Sequence, residues 1–226
     1  MTRVLVVVEG QTEESFVGNV LAPTLWAREI YATAILLGPL GHKGGRTNYA
    51  RVSRDVMTFL KQDRSAYCTT MIDLYGIGQG FPGTPPPPLL SNLEMVRHIE
   101  AAFKQDICER IPDFRPDIRF IPYFQLHEYE GLLFSDPRAF ARGINQAHLA
   151  HHFQQIRDEF DTPEDINNDP MSAPSKRVLA ACSSYRKVIE GTLAAQSVGI
   201  PAIRAECQHF REWLEVLERL QALEVK

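Results

Sequence analysis

Residues Val4 to Phe16 read "VLVVVEGQTEESF". An unbroken apolar run meets Glu9, then Gly10, then a polar, acid-rich stretch. Residues 3–9 predict a strand buried on both faces, as the central strands of parallel sheets are. Thr12 is placed to cap a following helix, with Glu13 and Glu14 in its first turn where the macrodipole favours acids. Phe16, Val17, Val20 and Leu21 keep helical spacing, and Pro23 predicts a kink. A strand that delivers a carboxylate to its last position points to chemistry at the sheet's carboxyl edge.

The pattern repeats outward. "YATAILLG" (31–38) predicts a second strand, followed by the Gly-rich, basic loop "GHKGGRTNY". Residues 50–63 predict a helix. "YCTTMIDLYG" (67–76) predicts a third strand carrying Asp73 at its end, and a Gly- and Pro-rich loop follows. Residues 92–110 predict a helix and "IRFIPYFQL" (118–126) a fourth strand, with "HEYEGLLFSD" directly after it. Alternating strands and helices give an α/β fold with a mostly parallel four-stranded sheet flanked by helices. Past Asp136 the strand signal stops. Helices are expected over 145–160 and 175–190, and Cys207, Phe210, Trp213, Leu214, Leu217 and Leu220 form an apolar stripe on a last helix. The division is a core at 1–136 and a helical C-terminal section at 137–226 packed on it.

Composition bounds the function. The 226 residues are 44% hydrophobic and 23% charged, with a net charge of -4. That balance excludes holding nucleic acid by bulk charge alone. Cys68, Cys108, Cys182 and Cys207 are scattered with no CxxC pair, which argues against structural zinc and for reduced thiols. No signal-peptide pattern and no membrane-length apolar run is present, so a cytoplasmic, soluble protein with no membrane partner is expected.

Glu9, Asp73 and the pair Glu128 and Glu130 fall at the carboxyl ends of the predicted first, third and fourth strands, where parallel sheets collect ligands. Singly, each reads equally as a cap or a solvated loop residue. Gathered, they repel one another and call for a divalent cation, and hard oxygen donors select Mg²⁺ or Mn²⁺. Such an ion suits phosphoryl chemistry. His127 reads as a loop or supporting residue. Cations for a phosphate are offered by His42, Lys43 and Arg46 on the glycine-rich loop. Lys176 and Arg177 offer more at a helix start in "APSKRV", with Arg186 and Lys187 further along. Each of these groups reads as readily as a solvated surface.

The ordered set "VEGQTEESFV", "MIDLYG", "GFPG", "YFQLHEYEGLLFSD", "APSKRV" and "CQHFREWL" resembles the Toprim-like superfamily. More narrowly, it resembles a bacterial Toprim-like family of unknown function whose members sit beside ATPase genes in loci like those of anti-phage defence. The resemblance implies a Toprim-like core, with Glu9 as acid/base group and Asp73 as metal ligand. It also implies a nuclease-type activity on DNA or RNA and an ATPase partner. Tyr75 stands where the superfamily's second metal-binding Asp is usual, so Glu128 or Glu130 is expected to supply the missing oxygen. The catalytic set is then Glu9, Asp73 and Glu130. The metal set is Glu9, Asp73, Glu128 and Glu130, with His127 and Tyr75 in support. The alternative is a non-catalytic subunit that binds nucleic acid or an ATPase and keeps only the shape of the site.

Overall fold

The structure is a computed structural model that describes residues 1–38, 47–78, 80–167 and 172–223. The chain runs β1 (Thr2–Val8), α1 (Gln11–Phe16), α2 (Ala22–Trp26), β2 (Ile30–Leu36), α3 (Tyr49–Gln62), β3 (Ala66–Asp73) and α4 (Asn92–Arg110). It continues through α5 (Pro116–Arg119), β4 (Phe120–Ile121), β5 (Phe124–Gln125), α6 (Glu130–Leu133), α7 (Pro137–Gly143) and α8 (Ala150–Asp158). The last helices are α9 (Pro174–Ala181), α10 (Lys187–Glu206) and α11 (Gln208–Glu218). All strand pairs are parallel, in the order β2-β1-β3-β4, with β5 also on β3.

β1 lies between β2 and β3, so its apolar run is buried from both sides. Val8 is level with Leu36 and with Met71, and Asp73 is level with Gln125. The ends of β1, β3 and β5 therefore open onto one edge. One face of the sheet packs Val4, Val6 and Val8 against α1 and the C-terminal helices. The other packs Val7, Cys68 and Ile72 against α3 and α4.

Three local expectations change. The predicted fourth strand divides, because Pro122 has no N–H to give to a ladder. β4 and β5 result, α5 takes the first part of the segment, and the sheet has five strands instead of four. β3 closes the gap with side chains: Thr69 Oγ1 donates to the Ile121 carbonyl at 2.5 Å, and Thr70 Oγ1 both donates to the Tyr123 carbonyl (2.8 Å) and accepts the Tyr123 N–H (2.9 Å). The first helix is capped at Gly10, not Thr12, and Glu13 accepts the Gly10 N–H at 2.9 Å. Thr12 lies inside the first turn. Ahead of Pro23 the helix passes through a π segment, Val17–Leu21, and α2 starts afresh at Ala22 with Pro23 in its first turn. The helix expected over 175–190 breaks into α9 and α10, and Lys187 opens the second of these.

The helical C-terminal section is fastened to the sheet. Trp213 of α11 stacks on Tyr123 with ring centroids 4.2 Å apart, and its Nε1–H reaches Thr69 Oγ1 at 2.9 Å. The four cysteines are free thiols. Among the described residues, no helix is long and apolar enough to cross a membrane.

Candidate active site

At the carboxyl edge of the sheet, Glu9, Gly10, Thr12, Glu13, Asp73, Tyr75, Gly76, Glu128 and Lys187 line a cleft of about 330 Å³. The register explains the first members. Glu9 follows β1, Asp73 ends β3, and Glu128 comes three residues beyond β5. Asp73 Oδ1 accepts the Tyr129 N–H at 3.0 Å, which ties the end of β3 to the segment after β5. Glu128 Oε2 accepts the Ser175 N–H at 2.9 Å. The first turn of α9 thus holds a carboxylate. Gly76 lets the chain pass Glu9, since a Cβ there would sit 2.9 Å from Glu9 Oε2.

The carboxylates feel one another. Burial pushes Glu9 above the usual carboxylate range; a nearby Thr47 hydroxyl lowers it and the Glu13 charge raises it further. Asp73 is held well above its ordinary value, first by burial and then by the charges of Glu13, Glu130 and Glu9, against the opposing pull of Lys187. Burial alone would lower Lys187, but Glu130, Asp73 and Glu13 outweigh it and hold the ammonium above its usual range.

Glu130 does not line the cleft. Its side chain is 0% exposed and meets Lys187 Nζ at 3.0 Å. Desolvation raises its pKa and Lys187 opposes the shift. The sequence brings Glu130 to the right place in the chain, but the first turn of α6 points it inward. Glu13 lines the cleft where Glu130 was expected, although the sequence reading gives it only a place in the acid-favouring first turn of the helix. Glu13 lies within one helical turn of Glu9, and that spacing was the available signal.

The remaining expected residues divide. Tyr75 is on the cleft wall and half-exposed. His127 sits behind it in the left-handed region (φ 60), where its carbonyl accepts the Tyr75 N–H at 3.3 Å. The His127 Nδ1 faces Asn167 Nδ2 at 3.2 Å, and burial lowers its pKa. Arg177 turns away from the cleft to Glu159 (3.0 Å) and the Ser172 carbonyl (2.9 Å). Lys176 is exposed on α9 and does not line the cleft. His42, Lys43 and Arg46 lie outside the described residues. Lys187 is the cation that does line it. Its position was hidden by the assumption of one continuous helix from 175 to 190.

The donors suit a hard divalent ion: they are crowded carboxylates, and burial first and neighbouring charge second raise Glu9 and Asp73. Among the described residues, however, no three His, Cys, Asp or Glu side chains are close enough to form a shell as they stand. The acids share a cleft, and an ion would require them to close on it.

A family model described as "Domain of unknown function (DUF4276)" matches residues 8–218. The chain belongs to the DUF4276 family. The match begins at the end of β1 and runs through α11, so it takes in every described cleft residue of this DUF4276 chain. No curated protein matches it. A solved structure similar to the DUF4276 chain is the C-terminal region of the OLD protein of Xanthomonas campestris pv. campestris. It is 14% identical, covers 96% of this chain and 95% of that one, and has a TM-score of 0.42.

Proposed function

We propose that the protein is a divalent-metal-dependent phosphodiester hydrolase, a nuclease of Toprim-like type. The observation that carries this is the meeting of Glu9, Glu13, Asp73 and Glu128 in one cleft with Lys187 beside them. The sequence resemblance to Toprim-like nucleases supports it separately. Asp73 Oδ2 and Glu128 Oε1 are the oxygens proposed to hold Mg²⁺ or Mn²⁺, with Glu9 and Glu13 beside them in the cleft. When bound, such an ion supplies charge neutralisation and lowers the pKa of water at the scissile phosphate.

The chain's own residues do the rest. Lys187 Nζ meets the negative charge of a phosphate entering the cleft and is kept protonated by Glu130. Glu9, whose raised pKa makes it a better proton acceptor than an ordinary glutamate, takes the proton of the attacking water. The Tyr129 N–H fixes Asp73, and the Ser175 N–H fixes Glu128. The substrate class is DNA or RNA. An ATPase partner and a role in a defence system are part of the same proposal and rest on the resemblance alone.

The test is cleavage of single- and double-stranded DNA and RNA by purified protein in Mg²⁺ or Mn²⁺. Wild type cuts and Asp73→Ala does not; equal cutting by both sinks the reading. A second reading is a binding subunit without catalysis, favoured by Tyr75 at the usual aspartate position and by the unclosed shell. Titration calorimetry with Mn²⁺ separates the two, since that reading expects no heat of binding.

A further inference from the structure

From Pro137 to Arg157 the sequence contains no Asp or Glu. The same stretch carries Arg138, Arg142, Arg157, His148, His151 and His152. In a chain of net charge -4 this local absence of acids stands out. Elsewhere arginines meet carboxylates, as in Arg3–Asp63, Arg97–Glu212, Arg177–Glu159 and Arg204–Glu218. Arg157, at the end of the stretch, meets Glu206. Among the described residues, Arg138 and Arg142 have no such partner.

The fold draws three of these side chains together. Arg138 of α7, His148 of the 3-10 turn Ala147–Leu149 and His151 of α8 line one cavity of about 350 Å³ with Ala147, Ala150 and Gln154. No carboxylate lines it. The nearest acid along the helix, Asp158, is taken up by the Gln154 Nε2–H at 2.8 Å. The walls are held from behind. Phe140 of α7 stacks on Phe153 of α8 with centroids 4.6 Å apart. Gly143 lies against α10 so closely that a Cβ would meet the Ala194 Cα at 2.5 Å.

We infer that this α7–α8 hairpin is a phosphate-group site built on Arg138, His148 and His151, separate from the acidic cleft. A guanidinium offers a planar fork of donors suited to a phosphate, and each imidazole offers an N–H. The donors arise from three elements that line one cavity. The fixed positive charge of Arg138 works against a metal ion at the two histidines. The phosphate belongs either to a small phosphorylated molecule or to a polynucleotide backbone, and the chemistry of the site is the same for both.

The test follows the ring signals of His148 and His151 by NMR while the full-length protein is titrated with inorganic phosphate. Saturable shifts of these two rings, with the buried His209 ring unmoved, are expected. Arg138→Gln with His151→Gln should weaken binding about 10-fold or more, the scale of losing charge-assisted hydrogen bonds. The melting temperature should stay put, because both side chains are exposed. Asp73→Asn should bind phosphate here as wild type does, so a failed cleft assignment leaves this site standing. Parallel titrations with AMP and with a short single-stranded oligonucleotide assign the source: similar affinities mark a small-molecule site, and much tighter, salt-sensitive oligonucleotide binding marks a backbone site. Unmoved rings, non-saturating shifts, saturation by Zn²⁺ but not by phosphate, or undiminished binding by the double variant overturns the inference.

Discussion

Asp73 uses Oδ1 to hold the Tyr129 N–H, while its charge sits among Glu13, Glu130 and Glu9 with Lys187 as the opposing ion. Burial first, and those acidic neighbours second, hold its proton to a higher pH in the folded chain than in the unfolded one. Between the ordinary value of 3.8 and the raised folded value, the native state binds more protons, so stability falls as pH rises through that window. Asp73→Asn keeps the acceptor for Tyr129 and removes the charge. It is expected to raise the melting temperature near neutral pH by about 2–4 °C, roughly 1 kcal/mol for a chain of this size. The gain should vanish as pH falls through the window. Added Mg²⁺ should raise the melting temperature of wild type and not of the variant, as expected for a ligand that binds only the native site. Scanning calorimetry across pH, with and without Mg²⁺, checks both. Gly76 is a second lever at this scale, because the added methyl of Gly76→Ala would press on Glu9 Oε2. Cleavage should drop at least about tenfold while unfolding free energy moves by no more than about 1 kcal/mol, the pattern of a misplaced reacting group.

Among the elements, α5 shows what sequence reading misses. "IRFIPYFQL" has the apolar content of a strand, and the outcome turns on Pro122 and on Arg119. Arg119 is 3% exposed and donates to the carbonyls of Leu60 (3.0 Å), Phe114 (2.8 Å) and Ala66 (2.8 and 3.0 Å), and also to that of Asp63. One guanidinium thus terminates α3, anchors the start of β3 and fixes α5. Replacing it with Met leaves several buried carbonyls without donors, and the expected loss is about 3–5 kcal/mol in urea unfolding. Arg119→Lys should fall between, since one ammonium cannot reach the same set. No local pattern announces such a residue, because all its partners but Phe114 are backbone groups far away in the chain. β1 and β3 were legible for the opposite reason: their signals are local apolar runs. Glu9 and Asp73 were legible with them, as strand-end acids. Glu13 was not, because its place depends on which residue caps α1, and Lys187, named only as a further cation along one helix, could not be set on the cleft wall without knowing where α9 stops.

For the whole molecule, the question is whether the α/β core and the helical C-terminal section are separable. The sequence suggests a change of character near residue 136, and the packing runs across it. One continuous apolar cluster joins Val4, Val6 and Phe16 to Phe140, Phe153, Phe210 and Trp213. Phe16 makes edge contacts with Tyr129 at 5.4 Å and with Phe210 at 6.1 Å. Polar ties cross the same boundary. Glu100 of α4 holds both His209 Nε2 (2.9 Å) and the Phe124 N–H (2.8 Å), and the Asn92 Nδ2–H donates to Asp165 Oδ1 at 2.9 Å. Removing residues 137–226 would strip the C-terminal helices from one face of the sheet, leaving the helices of residues 11–26 as its N-terminal cover, and would leave Glu100 and Tyr123 without those partners. We therefore expect residues 1–136 alone to lack a cooperative fold, and the full chain to unfold in one step. The two tryptophans make this measurable: Trp26 is 55% exposed, whereas Trp213 is 4% exposed and stacked on Tyr123. Fluorescence therefore reports mainly on the joint, and far-UV circular dichroism on the whole. Coincident urea transitions by the two probes are the expected result. Trp213→Ala, which removes that reporter and is therefore followed by circular dichroism, should lower the unfolding free energy by about 3–5 kcal/mol and still unfold in a single transition. An earlier fluorescence transition followed by a separate loss of helix would show that the C-terminal section comes away as a unit.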